Sequence, residues 1–365
     1  MKQIYWIFSA ILMLSLVQGC SSNNQHETWL YPGETWEQAT PQEEGVSSQL
    51  LQQALDTLKR YSHRDGLEEV LVIRNGRVIY AGDSVTKSHN IYSCSKSFTS
   101  MALGLLIAEG KCGLDDKAAK FEPILQENYS DATLRHFTTM TSGYSAKGGS
   151  RWPDWESDDW SWTPYQADEP HFAPGTGYLY WDENMMMLGR VLTQIAQEDL
   201  HAYLSERIMN KIQLGTWKWG PEQSLDKIPI RNGCTNIEMN ATQLARIGYL
   251  YLRQGKWKEE QLVPREWVRA AMVNQVPMEV DLKTDNRTLD GRGRYGYNWW
   301  VKGIAGDMPD TPDGTAFMSG FNHNVCFVIP EWNMVVVRMG LDGNPEEGKR
   351  FVYNRFFREL AKAVK

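Results

Sequence analysis

The sequence predicts an α+β fold: an antiparallel β-sheet flanked by N- and C-terminal helices, with a mostly helical subdomain inserted between its strands. Three observations predict it. Asn75-Gly76 separates two β-branched runs, which is the strongest short signal for a hairpin. Further strand runs return only after residue 296. Apolar residues at helical spacing mark the beginning, the middle and the end of the chain.

In order, VSSQLLQQALDTLKRY from Val46 has a serine near its start and apolar residues on one face, so it reads as a first helix. EEVLVIRNGRVIYAGD is the hairpin, and FTSMALGLLIAEG after Ser93 is a buried helix. Residues 112–230 carry helical patterns broken by Gly-, Pro- and Trp-rich loops, and form the predicted insertion. NATQLARIGYLYLRQGK and PREWVRAAMV are two further helices. GYNWWVKG, TAFMSGF, NVCFVIP and MVVVRMG are strands, the last two joined at Glu331-Trp332-Asn333, and EEGKRFVYNRFFRELAKAV closes the chain as a helix. Early hairpin and late strands make one sheet, and a cleft is expected where the insertion meets it.

The 365 residues are 42% hydrophobic and 23% charged, enough for a sizeable core at 46–365. A net charge of −7 lacks the basic footprint of nucleic-acid binding. The N-terminus, MKQIYWIFSAILMLSLVQGC, pairs one basic residue with a short apolar run and a small residue before Cys20, the pattern of a secretory signal. Val17-Gln18-Gly19-Cys20 resembles the lipobox of bacterial lipoproteins, which implies lipidation of Cys20, residues 1–20 as signal peptide and a cell-envelope location. An uncleaved anchor is the alternative, and residues 21–45 read as a polar linker. Cys94, Cys112, Cys234 and Cys326 are open to pairing in an exported protein, with no partner assigned. No CxxC or HExxH occurs and the seven histidines are scattered, so neither a metal nor a cofactor is implied.

The pattern S-x-x-K occurs at Ser84–Lys87, Ser93–Lys96 and Ser224–Lys227, and only Ser93 leads into a long apolar helix. Three apart at a helix start, Ser93 and Lys96 share a face. Burial of that face disfavours the ammonium, and a neutral lysine accepts the serine proton. The competing reading is an N-cap serine with a surface lysine.

Together with PGTGYLYWDENMMMLGR (174–190) and TAFMSGFNHNVCFVIPEWNMVVVRMG (315–340), SCSKSF resembles, in order and spacing, the serine β-lactamase and penicillin-binding-protein superfamily. The similarity is greatest to its esterase and 6-aminohexanoate-dimer hydrolase branch. LRHFTTMTSGY and IEMNATQLARIGYLYLRQGKW add to it. The resemblance implies an acyl-enzyme on Ser93, Lys96 as base and Tyr180 as proton relay, acting on a small ester or amide. It also implies an oxyanion site of the Ser93 and Phe321 backbone N–H groups, with Gly320 admitting the substrate and His323 facing either the cleft or a surface turn.

Two positions depart from the family pattern. Asp182 stands where the Y-x-N motif carries an amide, and an ionised carboxylate only accepts hydrogen bonds. Met318-Ser319-Gly320 stands where K-T-G or H-x-G carries a cation; Lys283-Thr284-Asp285 is nearest by letters but lacks the glycine. Both argue against a β-lactamase or D-alanyl carboxypeptidase, and a non-catalytic penicillin-binding-like envelope protein is the remaining alternative. SRWPDWESDDWSWTPY (150–165) belongs to no motif and suits a cleft wall, a lid or a cap on the insertion.

If lipid chains on Cys20 supply the anchoring, Cys20→Ser releases the protein from the membrane fraction or stalls its processing. An unchanged membrane fraction with an intact N-terminus contradicts this and supports an uncleaved anchor.

Overall fold

The structure is a computed structural model that describes residues 29–62, 65–147, 163–284, 287–303, 308–341 and 349–364. The signal segment with Cys20, and the Trp-rich stretch through Trp162, lie outside the described residues.

Eight helices are described: α1 (Ser48–Tyr61), α2 (Ser95–Ala108), α3 (Leu134–Thr138), α4 (Asp182–Ala196), α5 (Leu200–Leu204), α6 (Ala241–Leu252), α7 (Arg265–Ala271) and α8 (Lys349–Ala363). The main sheet uses β1 (Val70–Arg74), β2 (Arg77–Ala81), β3 (Trp300–Val301), β4 (Ala316–Ser319), β5 (Val325–Ile329) and β6 (Met334–Arg338). Its strand order is β3-β4-β5-β6-β1-β2, and every pair is antiparallel. The early hairpin thus joins the late strands through β1 and β6, with Val72 opposite Val336. Asn75 and Gly76 turn the hairpin at φ 53° and 86°, the left-handed backbone that a two-residue hairpin loop needs.

Alternation along the strands sorts the core into two layers. Val70, Val72 and Val336 join Leu51, Leu55 and Leu58 of α1 and Phe356, Phe357 and Leu360 of α8 on one face. Leu71, Ile73, Val335 and Val337 lie on the other, which α6 covers with Leu244, Ala245 and Ile247. Gly248 sets how closely α6 approaches the sheet. A Cβ there would stand 2.5 Å from the Cys326 sulfur and 2.9 Å from a Val335 methyl.

Two sequence expectations need correction. Residues 29–45 are no linker: Trp36 Nε1 donates to Thr242 O at 3.2 Å, Arg246 Nη2 to Gly33 O at 2.6 Å, and Tyr249 Oη to Leu30 O at 2.6 Å. The aromatic residues of this segment pack on those of α6, and that burial outweighs its polar composition. The 112–230 insertion is less helical than expected. From Lys218 it turns to short strands, including a hairpin of Pro221–Leu225 with Ile228–Arg231. Pro221 and Pro229 cannot donate within a helix, and Asp226 and Lys227 turn at φ 46° and 75°.

Gly248→Ala is expected to lower stability by about 1–3 kcal/mol, because the added methyl overpacks the α6–sheet contact. The denaturant midpoint measures it, and an unchanged midpoint contradicts the account.

Candidate active site

Ser93 lies in a short 3-10 turn, Tyr92–Cys94, that runs straight into α2. It is not the N-cap: that position is Cys94, and no side chain caps the helix. The Ser93 hydroxyl instead accepts a hydrogen bond from Lys96 Nζ at 2.8 Å. Lys96 is not a surface lysine either, since only 1% of its side chain is exposed.

Three groups surround its ammonium: Ser93 Oγ, Asp182 Oδ1 at 2.5 Å, and the Tyr180 ring, whose centroid lies 4.7 Å from Nζ. The expectation of a neutral lysine is therefore overturned. Burial alone would lower its pKa, but the Asp182 charge, aided by Tyr180, raises it well above the ordinary lysine range. A neutral amide at this position would not have held the proton in this way. Asp182 also opens α4, where the helix dipole favours an acidic residue.

Tyr180 is 6% exposed, between Tyr295 (ring centroids 6.0 Å apart) and Trp300 (5.5 Å). Burial raises its pKa, while Lys96 and a hydrogen bond with Ser93 pull the other way. Ser93, Lys96, Tyr180 and Asp182 are thus brought together from the start of α2 and the start of α4.

The end of β4 completes the wall. Gly320 is close because it has no side chain: a Cβ would lie 2.2 Å from Ile91 O and 3.2 Å from Ser93 N. The glycine thus admits the serine's own turn. Phe321 follows, half exposed, with its ring edge-to-face on Tyr92 at 5.6 Å. Met318 is buried on the strand, and Lys283 pairs with Asp281 at 3.1 Å.

His323 neither faces the cleft nor sits at the surface. Asn322 and His323 turn at φ 57° and 62°, and the imidazole is buried against Tyr353 of α8. The other two S-x-x-K pairs make no such cluster: Ser84–Lys87 is a turn, and Ser224 lies in the Pro221–Leu225 strand. Cys94, Cys112, Cys234 and Cys326 are all unbridged. Among the described residues no group of His, Cys, Asp or Glu is placed to hold a metal.

Sequence reasoning missed the residues that hold the wall in place. Ser97 and Ser100 of α2 donate to Asn298 O at 2.7 Å and Tyr297 O at 2.6 Å, fixing the loop that presents Tyr295 to Tyr180. Their i,i+3 spacing just ahead of the apolar run 101–108 was the available signal. Asn324 Nδ2 donates to Phe321 O at 2.7 Å, and its own carbonyl accepts from Cys94 Sγ at 3.2 Å, tying strand to nucleophile turn. His89, four residues before Ser93, pairs with buried Glu69 at 2.7 Å and faces Asn90 O at 3.1 Å. Glu183, beside Asp182, is buried and accepts from Trp181 Nε1 at 2.9 Å and Ala146 N at 3.1 Å.

Residues 51–353 match the model of the family described as Beta-lactamase. A β-lactamase of Pseudomonas fluorescens is 27% identical over 181 residues, 46% of this chain and 49% of that protein. The match therefore spans about half of that relative's length. A provisional 6-aminohexanoate-dimer hydrolase from Bacillus anthracis superposes with a TM-score of 0.67 at 18% identity, covering 90% of this chain and 87% of that one. EstCE1, a hydrolase with promiscuous acyltransferase activity, gives 0.64 at 17% identity, with 86% and 99% covered. At these identities the two structures speak for the fold.

Glu183 makes a stability prediction. Burial pushes its carboxyl from an ordinary 4.5 up to about 7, so the folded protein holds a proton that the unfolded chain has released. The folded state then binds more protons between these values, and stability falls as pH rises through that window. The loss is on the order of 3 kcal/mol and is complete above about pH 7. Glu183→Gln should flatten the curve of denaturation midpoint against pH over that window; an unchanged slope would assign it elsewhere.

Proposed function

The chain belongs to the β-lactamase family, and from that premise we propose that it is a serine hydrolase that cleaves neutral esters or amides through an acyl-enzyme on Ser93. The observation that carries the reading is the contact of 2.8 Å between Lys96 Nζ and Ser93 Oγ, buried beside Tyr180 and Asp182. Ser93 Oγ attacks the acyl carbon as its proton passes to Lys96, which gives up a proton of its own. The backbone N–H groups of Ser93 and Phe321 receive the oxyanion, and Tyr180 hands a proton to the leaving group. Water then repeats the sequence to release the acid. The lipobox-like ending at Cys20 supports the same chemistry at a bacterial cell envelope, on a lipid anchor.

Neutral substrates are favoured by the charges at the site. Met318 offers a carboxylate no cation, and Asp182 already balances Lys96. A penicillin or a peptide C-terminus would forgo a charge-assisted hydrogen bond of roughly 1.5–3 kcal/mol, or about one to two orders of magnitude in rate.

Ser93→Ala should abolish turnover of a p-nitrophenyl ester with the fold intact, and Lys96→Ala should come close to the same loss, since such residues act as a unit. Retained turnover in Ser93→Ala contradicts the assignment. On one wild-type preparation, kcat/KM for the ester should exceed that for nitrocefin. Nitrocefin ahead by about tenfold or more would restore the β-lactamase reading.

A further inference from the structure

The buried pair of Lys96 and Asp182 leaves the proposed reaction with a proton to place. A lysine held as ammonium has no lone pair, so it takes the serine proton only by giving one up. Asp182 Oδ1, at 2.5 Å, is the acceptor at hand; the hydroxyl of Ser93 lies on the other side at 2.8 Å. Lys96 is 1% exposed and Asp182 15%, so water is largely kept from the middle and the accepting end of the relay. The family amide at this position could not accept a proton.

We propose that Asp182 is a positioning and proton-holding residue that acts through Lys96: the serine proton moves to Lys96 Nζ as a proton of Nζ moves to Asp182 Oδ1. This rests on the Ser93 reading above and deepens it. As the Ser93 Oγ–H bond breaks, its electron pair forms the bond from Oγ to the acyl carbon, and the carbonyl π pair moves onto the oxyanion. One Nζ–H bond forms, one breaks, and the Asp182 Oδ1–H bond forms, so Lys96 ends with the charge it began with. When the intermediate collapses, the bond to the leaving oxygen breaks with its pair. The proton returns from Asp182 through Lys96 and Tyr180 to that oxygen. Negative charge thus travels from Asp182 to the oxyanion and back, and the site with its neutral substrate keeps one net charge throughout.

The test is the pH profile of kcat/KM for p-nitrophenyl acetate in wild type, Asp182→Asn and Asp182→Glu. In wild type the group that must be unprotonated is a carboxylate; in Asp182→Asn it becomes the amine of Lys96. The acid limb of Asp182→Asn should therefore move up by about one pH unit or more. Its plateau kcat should fall by about tenfold or more, with KM changed less than about threefold. Asp182→Glu should restore the acid limb of the wild type. An Asp182→Asn profile that overlays the wild type overturns the proposal. Should Asp182→Asn not fold, the wild-type rate in mixed H2O and D2O decides: a curved proton inventory reports two protons in flight and supports the relay, and a straight line overturns it. Labelling of wild-type Ser93 by a fluorophosphonate separates the two levels. With Ser93 labelled and the profiles overlaid, only the role of Asp182 fails; with Ser93 unlabelled, the reading of the site fails with it.

Discussion

A lysine amine with 1% of its side chain exposed is the constraint around which the site is arranged. Burying an ammonium without a counter-charge costs several kcal/mol, so α2 can carry Lys96 inward only if another element delivers a carboxylate. That element is α4, whose first residue is Asp182. The same contact brings Tyr180, two residues earlier, onto the lysine at 4.7 Å. One ion pair therefore links the starts of two packed helices and gathers three of the four reactive side chains. The hydroxyl of Ser93 takes the remaining direction of the ammonium.

The sheet supplies the rest, and it does so through backbone. β4 ends against the turn of Ser93 at a distance that no side chain tolerates, which makes Gly320 a packing requirement before it is a feature of any substrate site. Beyond it the chain turns through the left-handed conformations of Asn322 and His323 and drives the imidazole under the sheet toward α8. Asn324 locks this corner to the nucleophile turn from the other side. The half-exposed ring of Phe321 stays at the rim, against Tyr92.

Most of the architecture was legible because it is local and periodic. The hairpin at Asn75-Gly76, the late strands and the first, sixth and eighth helices follow from turn chemistry and apolar spacing. Ser93, Lys96 and Tyr180 stood out because their motifs fall in family order, and the structure brings them together. What the sequence hid is contact between distant segments. Nothing near Asp182 says that it faces Lys96, 86 residues away, so from sequence its charge bears on a substrate and not on the lysine. His323 shares a short turn with Phe321 and looked equally available, yet two left-handed residues turn it inward. Residues 29–45 have a linker's composition and a packed segment's contacts, because a few aromatic rings outweighed the polar residues around them.

The most direct measurement is a crystal structure of the protein after reaction with a neutral alkyl phosphonate p-nitrophenyl ester. Such a reagent leaves a tetrahedral adduct on the nucleophile. The account predicts phosphorus bonded to Ser93 Oγ, its oxygen between the backbone N–H groups of Ser93 and Phe321, and Lys96 still paired with Asp182. An adduct on another residue, or an intact Ser93 beside a Lys96 turned away from Asp182, would contradict it.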